Sequence, residues 1–202
     1  MKQQGLDIAF KDSREIIKTN SVFLNAELNY NDTYRGIKSY FEKNANKIVI
    51  LPGFISSNSQ NETTTLGRGG SDFTASIIAN AIDADLLEIW TDVSGMYTAN
   101  PKLVKQARPI AHISYQEAME LSHFGAKVIY PPTIQPVLDK EIPIVIKNTL
   151  FPGENGTTIS KNVNGKRTTV KGISHIDDIA LLTLEGNGMI GVPGISKRLF
   201  EA

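Results

Sequence analysis

The sequence predicts an α/β protein with a mainly parallel sheet. Short runs of isoleucine, leucine and valine recur along the chain, and segments with helical periodicity separate them. Polar stretches that contain glycine follow two of these apolar runs. Strands that alternate with helices are typical of parallel sheets, whose ligands bind beyond the carboxyl ends of the strands. With 202 residues, 41% of them apolar and 21% charged, the chain is long enough for one domain and part of a second.

The first part of the chain predicts two strands with a helix between them. Residues 6–12, LDIAFKD, predict a strand, and residues 47–51, KIVIL, predict a buried strand that ends at a proline. A helix is predicted over residues 33–43, because bulky apolar side chains recur there at helical spacing. These side chains are Tyr34, Ile37 and Phe41.

The middle part predicts a helix followed by a strand. Apolar residues three, four and seven positions apart predict an amphipathic helix after residue 72. They are Ala75, Ile78, Ala79 and Ile82. Residues 86–90, LLEIW, predict the next strand, which leads directly into the polar segment TDVSGMYTANP at residues 91–101.

A further helix and strand are predicted before residue 150. The helix begins at Ser114, because Glu117 follows three residues later and the two form a capping-box pattern. Gly125 is predicted to end this helix. Residues 143–148, PIVIKN, predict another strand, so residues 1–150 are expected to form the first domain.

The character of the sequence changes after residue 150. Residues 151–169 are rich in glycine, asparagine, threonine and lysine, and they predict a loop or linker. Residues 170–202 contain one strand pattern, IALLTLEG, and the start of one helix pattern, ISKRLFEA. So short a segment cannot bury a core of its own, and we therefore expect it to be the start of a second domain.

Composition and charge exclude several classes of function. The 21 basic residues balance the 21 acidic ones, so no nucleic-acid surface or polybasic membrane surface is predicted. The chain has no cysteine, which excludes disulfides, zinc ribbons and cysteine nucleophiles. The sequence shows neither a signal-peptide pattern nor an apolar run of about 20 residues, so we expect a cytoplasmic protein. No metal site is predicted, because the histidines show no ligand spacing: His112, His123 and His175.

The stretch TTTLGRGGSD, residues 63–72, is suited to binding an anion. Its three glycines allow a sharp turn and let backbone N–H groups approach a ligand. Ser71 is predicted to be the N-cap of the following helix, which begins near Asp72 and whose amino terminus favours anions. Arg68 offers a planar guanidinium group that matches a carboxylate or a phosphate. By itself, the stretch is equally typical of a flexible loop that leads into a capped helix.

Residues 91–101 provide a second candidate site. The segment follows a predicted strand and contains Asp92, Gly95, Tyr97 and Pro101. By itself it is more typical of an ordinary turn-rich loop than of a binding site. Spacing alone therefore predicts an α/β protein with an anion-binding loop.

Three motifs in combination resemble the aspartate kinases of the amino-acid kinase superfamily. They are TTTLGRGGSD at residues 63–72, WTDVSGMYTANP at residues 90–101 and FGAKVIYPP at residues 124–132. The resemblance covers about residues 1–160 and implies the carboxyl-terminal half of a three-layer α/β sandwich with a mainly parallel sheet. Residues 170–202 resemble the start of an ACT regulatory domain, which has an α+β fold. This last part is most similar to the bifunctional aspartokinase/homoserine dehydrogenases.

The resemblance implies ATP-dependent phosphorylation of the side-chain carboxylate of L-aspartate to 4-phospho-L-aspartate, the first step of lysine, threonine and methionine biosynthesis. Arg68 would bind the α-carboxylate of the substrate, and Gly69, Gly70 and Ser71 would line the same pocket. Asp72 would orient a phosphate-binding lysine or help to position the reacting groups. The aspartate carboxylate, with a pKa of about 3.9, is ionised at neutral pH and needs no general base.

The resemblance also implies a site for ATP and Mg²⁺. Thr91, Asp92 and Tyr97 would contact the nucleotide, and Lys127 and Val128 would complete its pocket. Lys127 would also take part in catalysis by neutralising phosphate charge. Lys102 stands where the family often has arginine; it would meet a phosphate without the bidentate geometry of a guanidinium group.

The sequence departs from the family pattern at both ends. The family's K-F-G-G-T-S-type segment, whose lysine stabilises the transferring phosphoryl group, does not occur, and neither does the acidic segment that binds the substrate amino group. We therefore expect the 202-residue chain alone to be inactive or unstable. For the parent protein, the resemblance implies a homo-oligomer formed through ACT domains and regulation by threonine or lysine.

Two other functions are consistent with the sequence. One is a kinase of another acceptor, such as glutamate or a nucleotide, although the complete TTTLGRGGSD and GAKVIYP segments favour aspartate. The other is a non-catalytic sensor that binds an amino acid or a nucleotide. Nucleotide binding without aspartate-dependent ADP release would favour the sensor.

Overall fold

The computed structural model of the chain describes residues 5–125, 128–161 and 170–180, together with residues 194, 197, 200 and 201. Its strands are β1 (Ile8–Phe10), β2 (Ile48–Ile50), β3 (Ile55–Ser57), β4 (Thr63–Thr65), β5 (Leu87–Thr91), β6 (His112–Ser114), β7 (Ile144–Asn148) and β8 (Thr157–Ser160). Its α-helices are α1 (Tyr30–Glu42), α2 (Gly70–Ala81), α3 (Tyr115–His123) and α4 (Gln135–Leu138). Two short 3-10 helices cover Ser13–Glu15 and Pro131–Ile134.

The described strands form three sheets, and most of their pairs are parallel. The largest sheet has the strand order β5-β7-β8-β6. Within it, β5 pairs with β7 and β6 with β8 in parallel, whereas β7 and β8 are antiparallel. β1 and β2 form a parallel pair, and β3 and β4 form an antiparallel hairpin. The predicted α/β fold with a mainly parallel sheet is thus confirmed.

The main core lies on the four-stranded sheet. The side chains of Ile144 and Ile146 on β7 and Ile159 on β8 are fully buried there. Leu87 and Ile89 on β5 belong to the same apolar cluster. The strands predicted over residues 86–90 and 143–148 are therefore confirmed, shifted by one residue at most.

The outer face of this sheet carries the chain's single tryptophan. Trp90 on β5 is 45% exposed. Its indole N–H donates to the carboxylate of Glu88 at 3.1 Å, and the Lys147 ammonium lies 5.0 Å from the ring centroid. This cation–π contact ties β5 to its parallel neighbour β7.

Helix α1 confirms the predicted apolar face and begins three residues earlier than predicted. The Asn29 side chain accepts a hydrogen bond from the Asp32 N–H at 3.2 Å, so Asn29 caps the helix. Ile37 is fully buried, and Tyr34 and Phe41 pack against the same apolar cluster.

Helix α2 differs from the prediction in its cap and in its buried face. The helix begins at Gly70, and the N-cap is Gly69 in a left-handed conformation with φ 71°, so the predicted Ser71 cap is wrong. The predicted single apolar face is also wrong, because Ile77 and Ala81 are fully buried whereas Ile82 is 38% exposed. The reason is that α2 is packed on more than one side, against α1, β5 and the segment 131–138.

Helix α3 confirms the predicted capping box. The Ser114 hydroxyl accepts from the Glu117 N–H at 3.2 Å, and the Glu117 carboxylate accepts from the Ser114 N–H at 2.9 Å. The helix ends at His123, and Gly125 follows with φ 121°, a left-handed conformation that suits glycine.

Strand β2 contradicts the prediction of a buried strand. Ile48 and Ile50 are 49% and 39% exposed, and Phe10 on the neighbouring β1 is 70% exposed. Among the described residues β2 pairs with β1 alone, so its second edge and much of its apolar surface are uncovered. The apolar run correctly predicts a strand, but its burial depends on neighbours that the run does not specify.

Strand β8 corrects the linker predicted over residues 151–169. Residues 157–160 form a strand between β7 and β6, and Thr157 and Ile159 are fully buried. The glycine and asparagine residues of this stretch suit the turn at residues 152–156. They obscure the alternation of buried and partly buried residues over 157–160 that indicates a strand. Residues 162–169 lie outside the described residues.

Part of the predicted second domain packs against the first. The Lys171 ammonium lies 2.9 Å from the Glu117 carboxylate, and the Ile173 N–H donates to the Thr98 carbonyl at 2.9 Å. Most of residues 181–202, which include the predicted strand IALLTLEG and the helix ISKRLFEA, lie outside the described residues. The domain boundary at residue 170 stays a prediction. No helix within the described part of the chain is long and apolar enough to cross a membrane.

Candidate functional site

The glycine stretch forms a tight turn between β4 and α2. Gly67 and Gly69 have φ values of 72° and 71°, which β-carbon-bearing residues rarely adopt. The Gly70 N–H donates to the Gly67 carbonyl at 3.1 Å and closes the turn. A Cβ atom at Gly67 would overlap the side chain of Asn25. The glycines are therefore needed for the turn itself, and the turn places Arg68 one residue before the N-cap of α2.

Arg68 is exposed and projects from this turn. Its guanidinium carbon lies 5.2 Å from the centroid of the Tyr130 ring. A guanidinium group beside an aromatic ring keeps its hydrogen-bond donors free to meet a planar anion. Arg68 is thus oriented by an aromatic neighbour, as an anion-binding side chain requires.

Asp72 lies in the first turn of α2 and is half-buried. Burial raises the pKa of its carboxyl group above the usual value of 3.8. Within the described residues this carboxylate has no hydrogen-bond partner. An acidic residue in the first turn of a helix also interacts favourably with the helix dipole, so this position by itself suits a structural role as well as a functional one.

The second predicted segment follows the carboxyl end of β5 in the four-stranded sheet. The Thr91 hydroxyl donates to the Asp92 carboxylate at 3.2 Å, and the Thr91 carbonyl accepts from the Thr149 N–H at 2.8 Å. Further along, the Lys102 N–H donates to the Asn100 side chain at 3.0 Å. These contacts fix the backbone on each side of the loop, while the Asp92 and Lys102 side chains stay exposed.

Thr157 holds this loop through hydrogen bonds, although the sequence did not mark Thr157 as a site residue. Its hydroxyl accepts from the Met96 N–H at 2.8 Å and donates to the Ile110 carbonyl at 2.7 Å. Gly95 lies so close to Thr157 that a Cβ atom would overlap it. Asn148, also buried, donates to the Ser94 hydroxyl at 2.9 Å. These residues follow no motif, since Thr157 lies in the stretch predicted to be a linker.

A cavity of about 880 Å³ lies between the two segments. Six predicted site residues line it together: Arg68, Thr91, Asp92, Tyr97, Lys102 and Val128. The described lining does not include Gly69, Gly70, Ser71 or Asp72, which form the base of the turn behind Arg68. Lys127 lies outside the described residues. The structure thus brings the arginine of the first motif into one cavity with the residues of the second.

Further residues line the cavity that the sequence analysis did not select. Tyr130 belongs to the motif FGAKVIYPP, so a sequence signal for it existed. The end of α3 contributes Leu121, Ser122 and His123. Residues 173–178 form another part of the wall, although the sequence predicted them to lie in a second domain. Because Arg68, Lys102, Asp177 and Asp178 all belong to it, the lining carries both signs of charge.

Comparison with protein families and curated proteins identifies relatives of the chain. Residues 1–148 match the amino acid kinase family. The chain is 47% identical over 156 residues to the bifunctional aspartokinase/homoserine dehydrogenase of Haemophilus influenzae, a match that covers 77% of the chain and 19% of the relative. It is 39% identical over 208 residues to the chloroplastic bifunctional aspartokinase/homoserine dehydrogenase 1 of Arabidopsis thaliana, covering 100% of the chain and 23% of the relative. The chain thus spans about a fifth of the length of these relatives.

Solved structures of aspartokinases have the same fold. The structure of E. coli aspartokinase III in complex with aspartate and ADP superposes with a TM-score of 0.75 at 36% identity and covers 81% of this chain and 37% of that one. The aspartate kinase of Clostridium acetobutylicum gives a TM-score of 0.72 at 38% identity and covers 82% of this chain and 37% of that one.

Proposed function

The chain belongs to the amino acid kinase family, and from that premise we propose that it is the substrate- and nucleotide-binding part of an aspartate kinase. The reaction is the transfer of the γ-phosphoryl group of ATP to the side-chain carboxylate of L-aspartate. The relatives support this choice of acceptor, since they are named aspartokinases and one was solved with aspartate and ADP.

One observation carries the proposal. Arg68, which projects from the glycine turn, lines the same cavity as Thr91, Asp92 and Lys102. A phosphoryl transfer between two anions requires both to be held side by side with their charges neutralised. A cavity of about 880 Å³ is within the size range of sites for small molecules.

On the substrate side, Arg68 binds the α-carboxylate of aspartate through its guanidinium fork. The turn formed by Gly69, Gly70 and Ser71 would give the substrate access to the Ser71 and Asp72 amides, which have no acceptor inside the helix, whereas the Gly70 N–H closes the turn. Asp72 behind the turn orients a cation that faces the phosphoryl group. The reacting carboxylate is ionised at neutral pH, so these residues need only position it.

On the nucleotide side, Thr91, Asp92, Tyr97 and Val128 contact ATP, and Lys102 meets its phosphates. Lys127 shares this role and adds positive charge during the transfer. When bound with the nucleotide, Mg²⁺ would supply further positive charge beside the phosphates that Lys102 and Lys127 meet.

We expect the 202-residue chain to bind both ligands without turnover. The glycine-rich lysine segment typical of the family does not occur in its sequence. Removing one electrostatic contact to a transition state commonly lowers the rate by about 10²–10³. The parent protein is proposed to act in the cytoplasm as a homo-oligomer, with residues 170–202 opening an ACT domain that binds threonine or lysine.

The test uses calorimetric titrations with a crossed pair of variants. ADP·Mg²⁺ is titrated into the chain, and L-aspartate into the chain saturated with ADP. Arg68→Met is expected to weaken aspartate binding by about 10- to 100-fold, the range for hydrogen bonds to a charged group, and to affect ADP less. Lys102→Met is expected to weaken ADP and leave aspartate largely unchanged. Equal losses of affinity for both ligands in both variants would contradict the assignment of Arg68 to aspartate and Lys102 to the nucleotide.

Two controls separate the proposed function from its alternatives. L-Glutamate in place of L-aspartate tests acceptor choice, and tighter binding of glutamate would contradict an aspartate kinase. An assay of aspartate-dependent ADP release tests turnover. Binding of both ligands without ADP release, in the chain and in any longer form of the protein, would favour a sensor, the second candidate.

A further inference from the structure

The segment 171–178 is attached to α3 at one place and to the loop after β5 at another. The Lys171 ammonium lies 2.9 Å from the Glu117 carboxylate, the same carboxylate that completes the capping box with Ser114. Lys171 is only 21% exposed in its side chain, so this ion pair is partly shielded from water. Two residues on, the Ile173 N–H donates to the Thr98 carbonyl at 2.9 Å. Thr98 lies in the loop that lines the cavity.

The close fit continues towards the end of α3. At Gly125 a Cβ atom would overlap the carbonyl oxygen of His175, so the absence of a side chain at residue 125 lets the segment approach. At Gly172 a Cβ atom would be 3.3 Å from the Leu121 side chain, a close contact without overlap. The segment therefore follows α3 from its first turn to Gly125, just beyond its end.

The far part of the segment lines the cavity. Residues 173–178 face the same space as Arg68, Thr91 and Lys102. Ile173 and Ile176 are 69% and 49% exposed although they lie in a cavity wall. Arg68 and Lys102 supply positive charge for the anionic part of a ligand, whereas the two isoleucines offer apolar surface. A nucleotide has both parts, an anionic phosphate chain and a flat base with apolar faces.

We propose that the segment 171–178 is a wall of the nucleotide site that contacts the base, and that Lys171 is a positioning residue that holds this wall through Glu117. The inference rests on the proposed function, because it assumes that the cavity binds a nucleotide. It assigns a role to residues that the sequence predicted to belong to a second domain. The bound nucleotide then strengthens the attachment of the segment by the same free energy by which the attached segment strengthens nucleotide binding.

The charges around this ion pair favour the attached state at neutral pH. Burial raises the pKa of the Glu117 carboxyl group. Hydrogen bonds from Lys171 and Ser114 lower this pKa by more, so it lies below its usual value of 4.5. Glu117 is therefore ionised well below neutral pH and pairs with the Lys171 ammonium. Because the pair is partly exposed, salt weakens it.

The experiment measures ADP binding by calorimetry in the full chain at low salt. Lys171→Met is expected to weaken ADP binding roughly two- to fivefold, the effect of one partly exposed ion pair, and high salt is expected to abolish the difference. Lys171→Arg keeps the charge and is expected to bind like the wild type. Lys161→Met is the matched control, because Lys161 pairs with Glu141 and does not line the cavity.

Two further measurements separate a contact with the base from general damage. Ile176→Ala is expected to weaken ADP but not inorganic pyrophosphate, which has neither base nor ribose. Hydrogen exchange is expected to show slower exchange of the Ile173 amide when ADP is bound, and faster exchange in Lys171→Met.

Each outcome bears on one of the two proposals. If the wild-type chain does not bind ADP, the proposed function fails, and this inference fails with it. If the wild type binds ADP but Lys171→Met and Ile176→Ala bind it equally well, the inference is wrong and the proposed function stands. Equal losses for ADP and pyrophosphate in Ile176→Ala would also overturn the contact with the base.

Discussion

Strands β2 and β7 share the tripeptide Ile-Val-Ile but lie in opposite environments. In β2, Ile48 and Ile50 are 49% and 39% exposed. In β7, Ile144 and Ile146 are fully buried. β7 lies between β5 and β8 in the four-stranded sheet, whereas β2 pairs with β1 alone among the described residues.

The same three residues form a strand in both β2 and β7, but they do not decide whether that strand is buried. β-branched residues favour extended backbone in both places. Burial is decided by which elements pack on each face, and β7 has a strand on both edges and the main core on one face. The region around β7 also holds the candidate site, so its packing and its function are expected to be coupled. The predictions below test this coupling.

The largest expected effect comes from truncating the first isoleucine of each tripeptide. Ile144→Ala removes a fully buried side chain and is expected to lower the free energy of unfolding by about 2–5 kcal/mol. Ile48→Ala, its matched control, removes a half-exposed side chain and is expected to cost less than about 1.5 kcal/mol. Urea unfolding followed by circular dichroism measures both. Similar losses of unfolding free energy in the two variants would contradict the difference in burial between β7 and β2.

A smaller effect is expected from removing one buried hydroxyl in each region. Thr157→Val leaves the Met96 N–H and the Ile110 carbonyl without their partner, and Thr64→Val removes the hydroxyl that bonds Thr19 at 2.6 Å and Ser56 at 2.8 Å. Each change is expected to lower the free energy of unfolding by about 1–3 kcal/mol.

The two hydroxyl variants are expected to differ in ligand binding. Thr157 supports the loop that contains Tyr97, so Thr157→Val is expected to weaken ADP binding as well as stability. Thr64→Val is expected to leave ADP binding unchanged, since the loop makes none of its hydrogen bonds to Thr64. Calorimetric titration checks this, and unchanged ADP affinity in Thr157→Val would show that the loop is held without the hydroxyl.

The smallest effect concerns two carboxylates with opposite pKa shifts. Hydrogen bonds from the Arg14 side chain and backbone lower the pKa of Asp12 from 3.8 to about 2, whereas burial raises that of Asp72 above 3.8. Asp12 therefore stabilises the fold above pH 3.8, and this contribution disappears as the pH falls towards 2. For Asp72 the sign is reversed: stability is lost as the pH rises from 3.8 through the raised pKa.

Substitution by asparagine separates the two carboxylates. At neutral pH, Asp12→Asn is expected to lower the thermal midpoint slightly and Asp72→Asn to raise it slightly. The effect of Asp72→Asn is expected to vanish below pH 3.8, and that of Asp12→Asn only as the pH approaches 2. Shifts of the same sign at neutral pH would contradict the assignment of these environments.

Much of the fold was predictable, because periodic apolar patterns report secondary structure directly. The capping box at Ser114 and Glu117 predicted the start of α3, since both partners are local in sequence. The cap of α2 was not predictable from residue types alone, because the left-handed conformation of Gly69 moved the helix start away from Ser71. Burial of β8 depends on packing between β7 and the distant β6, so the composition of residues 151–169 did not indicate it.

The residues of the candidate site also fall into a group that the sequence indicated and a group that it did not. Arg68 was selected for its guanidinium group among glycines, and Thr91 and Lys102 were selected through the resemblance to aspartate kinases. That both motifs follow predicted strands agrees with this choice. Thr157 carries no motif, and the segment 171–178 resembles the start of an ACT domain, which did not indicate a place beside the cavity. Their positions became visible only in three dimensions.

Trp90 gives the chain a native optical probe at the carboxyl end of β5. It is the only tryptophan in the sequence, so its fluorescence reports on one location. It stands next to Thr91 in the chain, 45% exposed, with the Lys147 ammonium 5.0 Å from its ring centroid. The colour and intensity of its emission depend on how closely that charge and the surrounding water approach. Because Trp90 itself does not line the cavity, we expect its emission to change only where ligand binding at Thr91 and Asp92 shifts β5 or the Lys147 ammonium.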